Sequence, residues 1–163
     1  MPQTVIQAAH NLVKRAGNRG RIIPPADFDK LAEELAIPVP PWLRELFTSV
    51  PLCGLEFAWQ KYEPDSDFDG LEVMEWADAP GIRSETLQCY PGIVLREFGY
   101  ISVASDSMGG GDPYFVNVHE GIDPPLYQIY HDISDQASRI IAGGRRIVSP
   151  RLSDFFLSAR LDA

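Results

Sequence analysis

Apolar residues along this chain change their spacing once. Up to Val50 they recur at intervals of three and four, and from Leu52 onward they mostly alternate with polar residues. The first spacing lines one face of a helix and the second lines one face of a strand. Val5, Ala8, Ala9, Leu12 and Val13 therefore predict a helix over residues 4–15, with Thr4 as N-cap, Lys14 and Arg15 in the last turn and Gly17 just beyond. A second helix is expected to start after Asp27 as N-cap, to bury Phe28, Leu31, Ala32 and Leu35, and to stop at Pro38. Pro40-Pro41 ahead of Trp42, Leu43, Leu46, Phe47 and Val50 predicts a third, with Pro41 in the first turn, where a missing N–H costs nothing. Trp42 is expected to pack on the core, and Asn18-Arg19-Gly20-Arg21 reads as a flexible, solvated basic connector.

Beyond Leu52, Leu55, Phe57 and Trp59 (or Tyr62) alternate with Glu56, Ala58 and Gln60, and Leu71 to Trp76 alternates likewise, so both are expected to be strands with one polar face. Residues 78–92 read as a connector with a short helical turn around Ser84 to Gln88. Ile93-Val94-Leu95, Tyr100 to Ala104, Tyr114 to Val118 and Leu126 to His131 read as further strands, the last two linked by the Glu120 to Pro125 turn. Gly109, Gly110 and Gly111 let the chain reverse between the second and third of these, and Pro113, lacking an N–H, restricts where the returning strand begins to pair. Ala137 to Ile141 fits either period. Ser149 as cap and Pro150 at the first position predict a closing helix that buries Leu152, Phe155, Phe156 and Ala159. Helices, then strands, then a helix is the order of an α+β domain with a largely antiparallel sheet, the N-terminal helices and the C-terminal helix packed on it. Residues 1–26 are read as an N-terminal helix and connector and 27–163 as a single α+β domain, with no internal repeat.

Composition narrows the function. A chain of 163 residues that is 45% hydrophobic builds a real core. No window is long and apolar enough for a membrane span, and the first residues lack a signal peptide's apolar centre, so the expected location is cytoplasmic. Cys53 and Cys89 are too few for a disulfide scaffold and too far apart for a metal knuckle, and both are expected to be buried free thiols. Fourteen basic residues against twenty-three acidic ones, a net charge of −9, argue against a phosphate backbone as partner and favour a basic protein.

Four motifs invite chemistry, and each meets an objection. Asp65 to Gly70 opens like a calcium loop, but the position that needs a bidentate Glu is Trp76 and the flanks are strands, so a solvated acidic hairpin loop is the better reading. His119-Glu120 and His131-Asp132 suggest a metal, yet pairing the two strands around the Glu120 to Pro125 turn separates the histidines by about 20 Å, at roughly 3.3 Å per residue. Ser107 falls short of a nucleophile elbow, because the first glycine is missing and a strand follows in place of a helix. The triple glycine lacks the Lys and the helix N-terminus of a phosphate loop, and Asp106 and Asp112 would repel phosphate. No general acid/base pair stands out, and no metal or cofactor is expected.

In order and spacing the pieces over about residues 27–160 resemble the SUKH superfamily, the Smi/Knr-type proteins. The resemblance rests on Val39-Pro40 before the helix of Trp42 to Val50, on Tyr100 to Ala104 with the Gly110-Gly111-Asp112 turn, on Tyr114-Phe115-Val116, on Pro125-Leu126-Tyr127 running to His131-Asp132, and on Ser149 to Phe155. The chain departs from the family's Asn-Gly-Gly after the first helix, carrying Pro51-Leu52-Cys53-Gly54 there, and reads Ser102-Val103-Ala104 where Ile-Gly is common. Membership implies an α+β fold and, for most bacterial members, a non-enzymatic cytoplasmic immunity protein that binds and neutralises the toxin encoded beside it. Eukaryotic relatives imply the alternative of a regulatory adaptor. An acidic surface would suit a basic nuclease toxin, and the expected contact residues are Glu63, Asp65, Asp67, Asp69 and Glu72, with Asp106 and Asp112 around the glycine turn.

Overall fold

The computed structural model describes residues 4–161, and in it the change of period at Leu52 separates three helices from a meander of strands. Helix α1 (Val5–Arg15) starts in a reciprocal cap, with Thr4 Oγ1 accepting from the Gln7 amide at 3.1 Å and Gln7 Oε1 accepting from the Thr4 amide at 3.3 Å. Helix α2 (Pro25–Leu35) starts earlier than expected: Pro24 holds the cap position and Pro25 the first turn, and Asp27 lies inside that turn. Proline's fixed φ suits the first helical residue, so Pro24-Pro25 acts as Pro40-Pro41 does ahead of α3 (Pro41–Ser49), and the Asp27 carboxylate favours the helix's positive end. Trp42 is half-buried against the core, as its position predicts. The connector before α2 exposes its arginines but is not free. Arg21 and Cys53 exchange backbone hydrogen bonds of 3.1 and 2.9 Å, and Gly20 lies so close to the Pro51 carbonyl that a Cβ would collide with it.

The strands are β1 (Glu56–Gln60), β2 (Leu71–Trp76), β3 (Tyr100–Asp106), β4 (Tyr114–Asn117), β5 (Leu126–Ile129), β6 (Arg145–Ser149) and β7 (Arg160–Leu161). They form one antiparallel sheet of order β6-β5-β4-β3-β2-β1-β7. With the helices this is an α+β fold. The expected hairpin is β3–β4, pairing Tyr100 with Asn117 and Ala104 with Tyr114, and Gly109 (φ 84) and Gly111 (φ 79) take the left-handed conformation that glycine adopts without strain. β4 begins at Tyr114, directly after Pro113. β1 exposes Glu56 and Gln60 as the expected polar face and buries Phe57 and Trp59, and Ala58 alone on that face is buried, flanked by Val73 of β2 and Arg160 of β7.

Two further expectations are corrected and one open assignment is settled. Ile93-Val94-Leu95 is helical, within α5 (Gly92–Leu95), which follows α4 (Ala79–Arg83) and a π-turn at Ser84–Gln88. Ala137–Gly143 is helix α6, and Arg145–Ser149 beyond it is an edge strand. The closing helix α7 (Leu152–Ser158) starts later than Ser149-Pro150 would set it, because Ser149 belongs to β6. Its cap comes from elsewhere: the Asp123 carboxylate, on the β4–β5 connection, accepts from the Ser153 amide at 2.9 Å and from the Ser153 hydroxyl.

The sheet curls. Its concave side carries Phe57, Trp59, Met74, Trp76, Val103, Tyr114, Val116 and Leu126, buried with α1, α2, α3 and α7 in the main core, and α1 lies along α7. Phe47 stacks between Phe28 and Trp76, and Phe156 leans on Trp76. The convex side carries a smaller core of Tyr100, Phe115, Tyr127 and Ile129 with Leu95 and Ile140. Trp59 of β1 reaches across to Tyr114 of β4, donating Nε1–H to its hydroxyl at 2.9 Å, and Arg146 of β6 donates to the Lys61 carbonyl at 2.7 Å just past β1. Strands far apart in the sheet thus meet through side chains.

Candidate interaction face

An antiparallel meander puts alternate connections at the same end of the sheet. β1 ends and β2 begins at Gln60–Leu71, β3 ends near Asp106, β4 begins at Tyr114 opposite Gln128, and β5 ends at Ile129 opposite Arg145. The β1–β2 loop, the β3–β4 loop and the segment after β5 therefore share one end. All seven predicted contact carboxylates, Glu63, Asp65, Asp67, Asp69, Glu72, Asp106 and Asp112, lie there, joined by Asp132 and Asp135.

The carboxylates differ in what they do. Glu63, Asp65, Asp67 and Asp69 are exposed. Asp65 Oδ1 accepts from the amides of Asp67 and Phe68, both at 2.8 Å, and Asp69 Oδ1 from the Leu71 amide at 3.0 Å, so these two carboxylates shape their own loop. They do not converge as calcium ligands would. Glu72 is half-buried and pairs with buried Lys61 at 3.6 Å. Asp106 is half-buried, and its Oδ1 accepts from the Met108 amide at 2.8 Å. Asp112 accepts from the His131 amide at 3.0 Å and lies 2.7 Å from His131 Nδ1. That contact holds the imidazole pKa above its ordinary value, with Asp132 and Glu85 adding to the effect.

Three cations at this end sit over aromatic rings. Lys61 sits over the rings of Tyr62 and Tyr130, and Arg146 over Trp59 and Tyr62. Arg145 covers Tyr127 at 4.6 Å and donates to the Tyr100 hydroxyl at 2.6 Å. Amid the exposed carboxylates, Tyr62 (48% exposed) and Phe68 (41% exposed) pack against each other with centroids 6.1 Å apart. Sequence reading found the acidic loop but not this aromatic pair. The signal was present as two aromatics inside a run of turn residues and acids.

The histidines fall as the strand geometry requires. His131 meets Asp112 and Asp132, whereas His119 lies by Gly99 and Asn117 at the other end of the sheet. Ser107 donates its hydroxyl to the Val73 carbonyl at 3.1 Å and no helix follows it, so it is no nucleophile elbow. Cys53 is buried, and burial pushes its thiol up to about 12; Cys89, expected to be buried, is half-buried 3.8 Å from the Ser84 hydroxyl. Both thiols are free.

A separate cavity of about 220 Å³ lies between β2, β3 and α4, lined among others by Arg21, Glu75, Asp78, Ser84, Glu85 and Ser102. No histidine, cysteine or lysine among the described residues lines it. Half-buried Glu85 has its carboxyl raised by that burial, offset in part by His131.

Comparison with protein-family models, curated proteins and solved structures finds no match. No helix of the described residues is long and apolar enough to cross a membrane.

Proposed function

We propose that this protein is a non-enzymatic cytoplasmic immunity protein of the SUKH kind, which binds and neutralises a basic toxin encoded beside it through the acidic end of its sheet. The exposed Tyr62–Phe68 pair set among Glu63, Asp65, Asp67 and Asp69 carries this reading. Protein interfaces concentrate binding energy in a few aromatic anchors ringed by polar groups, and complementary charge steers the encounter. The loop is firm enough to present them, because Asp65 and Asp69 fix its turns and Gly70 (φ 77) packs against the Tyr62 carbonyl. Among the described residues Glu63, Asp65, Asp67 and Asp69 enter no ion pair, so the loop presents its four carboxylates with their charge intact.

The test is growth. Co-expression with the neighbouring toxin should rescue cells, and Phe68→Ala with Tyr62→Ala should lose rescue while the protein still folds. Full rescue by that variant places the contact elsewhere. Failure of the parent to rescue, with a non-toxic partner co-purifying, favours the adaptor alternative.

A further inference from the structure

We infer that Asp112, His131 and Asp132 form a binding site for one divalent transition-metal ion of the zinc class. Among the described residues they are the one group of three such side chains whose ligand atoms all lie within 4.8 Å of one another. Donors bound at about 2.1 Å around a tetrahedral or octahedral ion are roughly 3–4 Å apart. The difference is small enough for exposed Asp132, which makes no hydrogen bond or ion pair among the described residues, to close by rotation.

The other two are held next to each other by a hydrogen bond, Asp112 Oδ1 lying 2.7 Å from His131 Nδ1, and binding of an ion displaces the proton between them and parts the two side chains to the spacing of ligands. The Ile129 amide donates to the Pro113 carbonyl at 3.1 Å and the His131 amide to Asp112 Oδ1 at 3.0 Å, which fixes the glycine loop against the end of β5. Gly111 (φ 79) eases the approach, since a Cβ there would crowd His131 Cε1 at 3.2 Å. Two carboxylates and an imidazole carry net negative charge, and the only ion pair either carboxylate makes among the described residues is between Asp112 and His131 itself. An imidazole nitrogen in the set favours zinc, cobalt or nickel over magnesium or calcium. Three protein ligands leave at least one coordination position to water. Beside them opens a hollow of about 270 Å³, lined by Tyr90, Ile133, Ser134 and Asp135 as well as His131 and Asp132, with room for the ion's remaining ligands. The site depends on neither the family resemblance nor the proposed partner.

Titration calorimetry of the full chain with zinc chloride at neutral pH should show one saturable event per chain, and magnesium chloride none. Asp112→Asn and His131→Gln should each weaken zinc at least about tenfold, the scale at which even the supporting partners of metal ligands act. The variant lacking His10 and His119 should bind as the parent does. Asp132→Asn removes no hydrogen bond or ion pair among the described residues, so it should weaken zinc with an unchanged melting temperature even where another variant unfolds. Cobalt should shift the His131 ring resonances ahead of those of the other two histidines. No saturable zinc heat, equal affinity in the ligand variants, or magnesium binding as tightly as zinc overturns the assignment.

Discussion

Tyr114→Phe removes one oxygen atom from the hydrogen bond that joins β1 to β4 on the concave side of the sheet. Trp59 Nε1 donates to that hydroxyl at 2.9 Å, and both residues are buried, Tyr114 completely. The ring itself stays, so the edge-to-face contact with Trp59, centroids 6.2 Å apart at 84°, is kept, and little cavity forms. What is lost is one hydrogen bond, leaving the indole N–H without a partner away from solvent. That costs about 1–3 kcal/mol, of which the net value of an ordinary bond is only about 1. In a chain of this size each kcal/mol moves the midpoint by roughly 2–4 °C, so the variant should melt a few degrees low. Thermal melts followed by circular dichroism and tryptophan fluorescence, combined with Trp59→Phe in a double-mutant cycle, should give a coupling of at least about 0.5 kcal/mol. A variant as stable as the parent, with additive effects in the cycle, refutes the claim that this bond holds β1 to β4.

Other consequences follow from the same geometry. Asp112 raises the folded-state pKa of His131 above the unfolded value near 6.5, so the pair stabilises fully below that value and the contribution is lost as pH rises through the folded pKa. Both groups are partly exposed, which limits the effect to about 1 kcal/mol or less, and Asp112→Asn should flatten the stability–pH curve across that window. Gly99→Ala should destabilise by about 1–2 kcal/mol or more in denaturant titrations, since φ is 97 there and the new Cβ would meet His119 and Asn117. Asp123→Ala should cost about 0.5–2 kcal/mol by leaving the first turn of α7 uncapped.

Local rules made much of this fold legible. The three leading helices, the β3–β4 hairpin and the antiparallel α+β class follow from periodicity, proline position and glycine freedom, each acting within a few residues. What escaped depends on distant partners. β6 shows no clear alternation, because Arg145 and Arg146 are settled by the rings of Tyr127, Trp59 and Tyr62 on and beside other strands, while Ile147 stays exposed on an edge. Ile93-Val94-Leu95 is too short to reveal its period. Asp123 caps α7 from 30 residues away, a cap no local motif announces. The acidic loop was legible as composition, but the Tyr62–Phe68 contact and the meeting of Asp112 with His131, 19 residues apart, required the folded chain.

On the proposed function, the acidic end meets a basic partner. That encounter is read in the association rate with the proposed toxin, measured against salt for the parent and for Glu63→Lys with Asp67→Lys, whose side chains accept no hydrogen bond in their loop. Each unit charge about 8 Å from a partner cation is worth roughly 0.5 kcal/mol in water, and about half of that at 0.1 M salt. Two reversals change the charge by four units, so the rate should fall by about fivefold at that salt, and its dependence on ionic strength should flatten. Equal rates and equal salt slopes for the two proteins would contradict the account.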